Sequence, residues 1–340
     1  MKFFSYLTTT GSSSIGLTDG SRSIDLVSAA HATGAPNFPT LLDDLVRQYE
    51  SFEKVAQKVD IDFKAGSFNE FSVNIADLKL LPPIYKPASC RDAYAFRQHV
   101  YTARRNRNAE MIPEFDQYPI FYFTNHNAVV GPGDVLCMAD HFQKLDFELE
   151  GAVVIGKPGR NIDAKDADQH IFGYTIMNDL SARVLQMEEM KLNLGPAKGK
   201  DFATSIGPWL VTPDELVNFK IDAPVGHSGQ RFNLKMTAKV NGITVSEGNL
   251  GDMDWTFAEI IERCSYGVNL QPTEVIGSGT VGTGCFLELN GSGLLDDPKY
   301  KVQWLKENDI VELAIDELGV LSNHIVKEGD ASLLAKKKNM

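Results

Sequence analysis

The segment Lys144-Leu145-Asp146-Phe147-Glu148-Leu149-Glu150-Gly151-Ala152-Val153-Val154-Ile155 carries the densest chemistry in the chain. Side chains alternate along a strand, so Asp146, Glu148 and Glu150 fall on one side while Leu145, Phe147 and Leu149 fall on the other. Three acids beside an apolar run repel one another unless a cation compensates them, and a divalent ion with oxygen ligands is the natural compensator. The same spacing also fits the solvated outer face of an edge strand. A further carboxylate, Asp179, ends the run Tyr174-Thr175-Ile176-Met177-Asn178 just before a helical stretch, with Arg183, Gln186 and Met190 following on one helical stripe. That stripe suits a ligand site, and equally an N-cap followed by a solvated face. Asp92 and His99 lie on one side of a predicted helix beside Phe96 and Val100, which makes His99 either a candidate base or a structural histidine. Arg91, Arg97, Arg104, Arg105 and Arg107 are an anion trap or a solvated face.

These residues need a framework, and the chain is long enough to build one. It has 340 residues, 43% of them apolar, which suffices for a full core in one large domain plus a smaller one. Its 33 Lys and Arg against 45 Asp and Glu leave a net charge of −12, which argues against a nucleic-acid backbone as partner. No apolar run approaches the ~20 residues of a membrane span, and the N-terminus turns polar at Thr8, so no membrane association and a cytoplasmic location are expected. Cys90, Cys137, Cys264 and Cys285 are widely spaced and expected to be reduced thiols in or near the core.

Residues 1–82 read as a small α+β unit with one helix over about 40–59, and the proline-rich run Leu81 to Pro87 marks the boundary to a second unit, 83–340. Helices are expected at 91–106, 180–190 and 256–265. Strands are expected at 120–123, 134–138, 144–155, 174–177, 209–211, 234–240, 284–289 and 310–315, and near Val275. The pattern is α+β and strand-rich. Gly277, Gly279, Gly282 and Gly284 are not a P-loop, since no Gly-Lys-Ser/Thr follows and the chain is expected to enter a strand. His126 and His141 form no helical zinc pair. Lys336 to Lys338 read as a solvated end.

Taken together, Asp92, the Glu148-x-Glu150 strand and the Met177-Asn178-Asp179-Leu180-Ser181-Ala182-Arg183 segment resemble the metal pattern of the fumarylacetoacetate hydrolase family, from about Ala88 onward. Gly199-Lys200-Asp201-Phe202 with Thr204 is similar to the family's Gly-Lys-x-Phe stretch by the metal, and Gly279-Thr280 to its substrate loop. Residues 304–309 and 317–323 look like its closing strands. The resemblance implies a mixed β-roll, a Mg²⁺ or Ca²⁺ site (Mn²⁺ also compatible) on Asp92, Glu148, Glu150 and Asp179 with Lys200 and Thr204 alongside, and a homodimer. Arg97-Gln98-His99 and Glu288 match the pieces of members that hydrolyse fumarylacetoacetate.

On that footing the expected activity is hydrolysis of a carbon–carbon bond in a diketo acid, fumarylacetoacetate of aromatic amino-acid catabolism or an acylpyruvate. His99, oriented by Glu288, would activate water; Arg183, Gln186 and Lys200 would stabilise the oxyanion; Tyr94, Thr280 and Arg107 would bind substrate carboxylates. Two positions depart from the family: Met190 stands where a substrate tyrosine is expected, and Asn108 where an arginine is, with Arg107 or Arg105 as replacement. The alternatives are a decarboxylase, isomerase or hydratase acting on a 2-oxo acid, and a calcium-stabilised binding protein without catalysis.

Overall fold

The computed structural model describes residues 1–338. The aromatic and β-branched runs Lys2–Leu7 and Ser13–Thr18 pair antiparallel across a turn in which Gly11 has φ 81. From this hairpin an eleven-stranded sheet grows. Its main path runs Ser23–Asp25, Ser13–Thr18, Lys2–Leu7, Thr204–Val211, Ile171–Asp179, Leu149–Ile155, Val275–Gly277, Cys90–Ala93 and Phe121–Thr124. Pairing along it is antiparallel except between Val275–Gly277 and Cys90–Ala93. The proline-rich run lies between Lys79–Leu81 and Cys90–Ala93, and both of those strands belong to this sheet.

Both faces of the sheet are covered, which is why its central strands are apolar on alternate positions of either parity. In Leu149–Ile155, Leu149, Val153 and Ile155 join one core, which a five-stranded sheet closes through Met236, Ala238, Val311, Leu313 and Leu321. Ala152 and Val154 join a second core beneath the helices Leu26–Ala32, Leu42–Arg47 and Tyr49–Lys64. Residues 1–82 therefore supply both an edge and a lid of helices to the sheet that carries the candidate site. All four cysteines are free and buried. No helix among the described residues is long and apolar enough to cross a membrane.

Several expected elements differ. The helix over 40–59 is two, broken at Gln48. Residues 91–106 split into the strand Cys90–Ala93 and the helix Arg97–Arg105, because ladders on both sides hold the first part extended and Asp254 accepts from the Arg97 N–H at 2.8 Å, where the helix begins. Asp92 and His99 thus sit on different elements. The expected strand 284–289 is the start of the helix Phe286–Asp296, whose first N–H groups, Phe286 and Leu287, donate to Asp146 at 2.7 and 2.9 Å. A cap supplied from 140 residues away leaves no local signal. That helix also removes one of the two grounds against a P-loop; the missing Gly-Lys-Ser/Thr stands, and the helix N-terminus already holds a carboxylate. Residues 304–309 contribute only a bridge at Leu305, and the strand 144–155 breaks between Asp146 and Leu149. The helix after Asp179 starts only at Arg183, beyond the short strand Ser181–Ala182.

Candidate active site

At one end of the central sheet, three of four consecutive strands turn a carboxylate toward the same side. Asp179 ends Ile171–Asp179, Glu150 lies one strand across and Asp92 two strands further, with Gly277 on the strand between these two. Glu148 completes the group, and one oxygen from each of the four lies within 4.8 Å of the others. The gap is held open by the glycine, since a Cβ on Gly277 would stand 2.7 Å from Asp92 Oδ1 and 2.9 Å from Glu150 Oε2. Gly279, at φ 80, passes so close to the Ala93 backbone that only glycine fits, and its N–H donates to Asp92 and Glu150 at 3.0 and 3.2 Å. Thr280 donates to Glu150 at 3.3 Å.

All four acids are buried, which disposes of a solvated edge-strand face. Their charges are only partly met from within the chain. Burial raises Glu148, yet Lys200 and then Arg183 outweigh it and hold this carboxylate well below its usual range. Lys200 donates to Glu148, and to Asp179 at 2.5 Å. Asp92 is pushed up to about 8, by burial and then by Asp179, and burial with Asp92 raises Glu150 as well. One oxygen of Asp179 is buried with no hydrogen-bond partner among the described residues. A glycine-lined gap, an orphan oxygen and two acids without a counter-charge fit a divalent cation, and the all-oxygen donor set suits a hard one. Lys200, a protonated amine, offers donors and no lone pair, so its place is that of a counter-charge. Thr204 is the cross-strand neighbour of Asp179, and its hydroxyl lies 3.4 Å from that of Thr124.

Beside the acids, His99 Nδ1 lies 2.5 Å from Glu288 Oε2, both buried. The helix Arg97–Arg105 presents the histidine and the first turn of Phe286–Asp296 presents the glutamate. Cys285 adjoins this pair, and burial holds its thiol far above the usual range and so neutral. A cavity of about 720 Å³ opens onto His99, Asp92, Glu148 and Lys200 together. Tyr94, Thr280, Arg107, Arg183 and Gln186 also line it. Every expected side chain except Glu150, Asp179, Thr204 and Glu288, which stand behind the wall, therefore faces one space.

Details within it shift several expectations. Arg183 is largely engaged: Nε and Nη2 hold Asp146 at 2.8 and 2.7 Å, Nη2 reaches Glu148 at 2.8 Å, and Nη1 donates to Gln186 at 3.1 Å. Of the five arginines, Arg91 is paired with buried Glu274 and Arg97 with Asp116, while Arg105 reaches Ser292; Arg104 and Arg107 line the cavity. Asn108 has φ 54 just past the helix end, and Arg107 rather than Arg105 reaches the cavity. Met190 lines the mouth. His141 packs on Phe202 with ring centroids 4.0 Å apart, away from the acids.

Two contributors were not singled out in the sequence. Tyr122 donates its hydroxyl to Asp179 and lines the cavity. Asp146, seen only as one acid of three, joins Arg183 to the helix that carries Glu288. For Asp146 the signal was its shared parity with Glu148 and Glu150 along the segment; for Tyr122 no local signal existed.

Residues 89–326, more than half of the chain, match the family model described as fumarylacetoacetate (FAA) hydrolase C-terminal. Oxaloacetate tautomerase YisK of Bacillus subtilis is 32% identical over 259 residues, 75% of this chain and 75% of that protein. The mitochondrial oxaloacetate tautomerase FAHD2A of Homo sapiens is 34% identical over 208 residues, 61% of this chain and 59% of that protein. Among solved structures, a fumarylacetoacetate hydrolase from psychrophilic Exiguobacterium antarcticum aligns with TM-score 0.68 at 23% identity, over 96% of this chain and 100% of that one. That likeness establishes the shared fold.

Proposed function

The chain belongs to the fumarylacetoacetate hydrolase family, and from that premise we propose that it is a metal-dependent tautomerase of a 2-oxo acid of the oxaloacetate type. The observation that carries this reading is the buried quartet Asp92, Glu148, Glu150 and Asp179, of which Asp92 and Glu148 share one cavity with His99, itself paired with Glu288. The names of the relatives favour keto–enol interconversion over the hydrolysis expected from the motifs alone.

When bound by the four carboxylates, a divalent cation supplies Lewis-acid polarisation of the substrate carbonyl. The chain's own groups do the rest. With Nδ1 engaged by Glu288, His99 has Nε2 left for the substrate, where it takes the proton from C3 and later returns it. The C3–H electron pair becomes the C2=C3 bond, the carbonyl π pair moves onto the oxygen, which takes a proton from water, and the hydroxide so formed recovers the proton held by His99. Burial lowers the Lys200 ammonium, but Asp179 and Glu148 raise it further, so it stays charged. It therefore acts as a fixed hydrogen-bond donor toward the oxygen rather than as its acid. Tyr94 and Arg107 face the remainder of the substrate.

A second reading, cleavage of an acylpyruvate, is favoured by the same His99–Glu288 pair, which could equally deprotonate water. Fumarylacetoacetate itself fits less well, given Met190 and Asn108. Homodimer formation is part of the proposed reading, and a single-chain mass by light scattering would remove it. The deciding experiment follows the near-ultraviolet absorbance of enol-oxaloacetate with Mg²⁺ and after chelation, alongside product analysis with acylpyruvates. Metal-dependent acceleration of ketonisation is expected; unaccelerated ketonisation with cleavage of the acylpyruvate would replace the first reading by the second.

A further inference from the structure

We propose that the substrate of this site is a 2-oxo acid bearing an apolar chain, which lies along the outer half of the cavity. This rests on the 2-oxo acid reading above and specifies its substrate class. The cavity has two unlike halves. Its acids among the described residues, Asp92 and Glu148, are at the inner end with Lys200 and His99, and Arg104, Arg107 and Lys144 also line the cavity. Its outer part is walled by Ile112, Ile120, Met187, Met190, Leu294 and Val302, each left 36 to 49% exposed. These side chains come from three separated stretches of chain, yet they gather on one concave surface that runs into the catalytic groups.

Oxaloacetate is small and polar throughout, so about 720 Å³ leaves most of that space unfilled when its head occupies the inner end. Six exposed apolar side chains converging on one cavity call for an apolar occupant, since leaving them to water forgoes their burial. The head group is recognised by charge at the inner end, and a hydrocarbon chain on the C3 side of the substrate follows the apolar side chains of the outer half.

The test separates this inference from the reading beneath it. Mg²⁺-loaded protein is titrated calorimetrically with oxamate, a planar and non-enolisable analogue of the 2-oxo acid head, and with N-hexyloxamate. The hexyl compound is expected to bind at least about 30-fold more tightly. Leu294→Asp and Val302→Asp, both at exposed positions, should reduce that ratio to below about threefold. Oxamate binding with no gain from the hexyl chain overturns the inference and leaves the head-group reading intact. No binding of either compound removes the 2-oxo acid reading, and the inference with it. An unchanged ratio in both variants also overturns it, because the chain would then lie elsewhere.

Discussion

The inner end of the cavity and its mouth are built by opposite means. Inside, the functional groups are carboxylates on sheet strands and, for Glu148, on the short break between two of them, buried, hydrogen-bonded and spaced by a glycine. At the mouth they are apolar side chains on helices and loops, partly exposed and tied by few polar contacts. The difference teaches where precision resides. Charges in low dielectric must be positioned to a few tenths of an ångström or they destabilise the fold, so they are placed on the most rigid elements. Apolar contacts are non-directional, and a helix or loop holds them well enough.

The comparison can be broken most severely from inside. Glu150→Ala should abolish Mg²⁺ binding in calorimetry and lower turnover about 10³-fold or more, since the polarising cation is lost. His99→Ala should lower turnover about 10²- to 10³-fold while Mg²⁺ affinity stays unchanged; a change in affinity would show that the histidine positions the acids instead. Gly277→Ala, whose Cβ would press on Asp92 and Glu150, should cost about 10- to 100-fold in metal affinity, measured in the same titration.

A smaller effect lies at His141, whose turn packs on the helix Arg183–Met190 that joins the two regions. Burial lowers it from 6.5 to about 4, with Asp140 and Asp201 opposing and Lys198 assisting, and its Nδ1 accepts from the Met138 N–H at 3.1 Å. The folded state thus holds a neutral ring that the unfolded chain protonates. Its contribution, about 3 kcal/mol, is complete above pH 6.5 and is lost as the pH falls toward 4. Urea unfolding should show that slope, and His141→Asn should flatten it. At the mouth, Ile120→Ser should change unfolding stability by less than about 0.5 kcal/mol and leave Mg²⁺ affinity untouched, as measured by denaturation and titration.

How much was legible follows from how local each signal is. The parity of Asp146, Glu148 and Glu150 was readable because strand alternation is a property of a few adjacent residues, and it survived a break in the ladder at Phe147. The helix Phe257–Ser265 was readable because its own Thr256 and Glu259 form its capping box. The helix at Phe286 was not, because Asp146 caps it from another part of the chain. Asp92 was named as a candidate ligand but assigned to a helix, because the two ladders that extend it come from strands elsewhere in the sequence. The choice between Arg105 and Arg107 needed the path of the chain after Asn106, and the split of five arginines into paired and cavity-lining ones needed Glu274 and Asp116 in place.

By itself, the sequence determined the chemistry available to this protein: a set of carboxylates dense enough to suit a cation, a histidine, a glutamate and a lysine, and the family to which their order belongs. Tertiary structure alone decided which of these groups share a space, that Arg183 is bound to Asp146 rather than free, that Tyr122 reaches Asp179, and that an apolar vestibule adjoins the charged end. The physical reason is range. Side-chain type and local periodicity are carried by neighbours in the chain, whereas burial, counter-charge and cavity shape arise only when distant strands pair and exclude water between them.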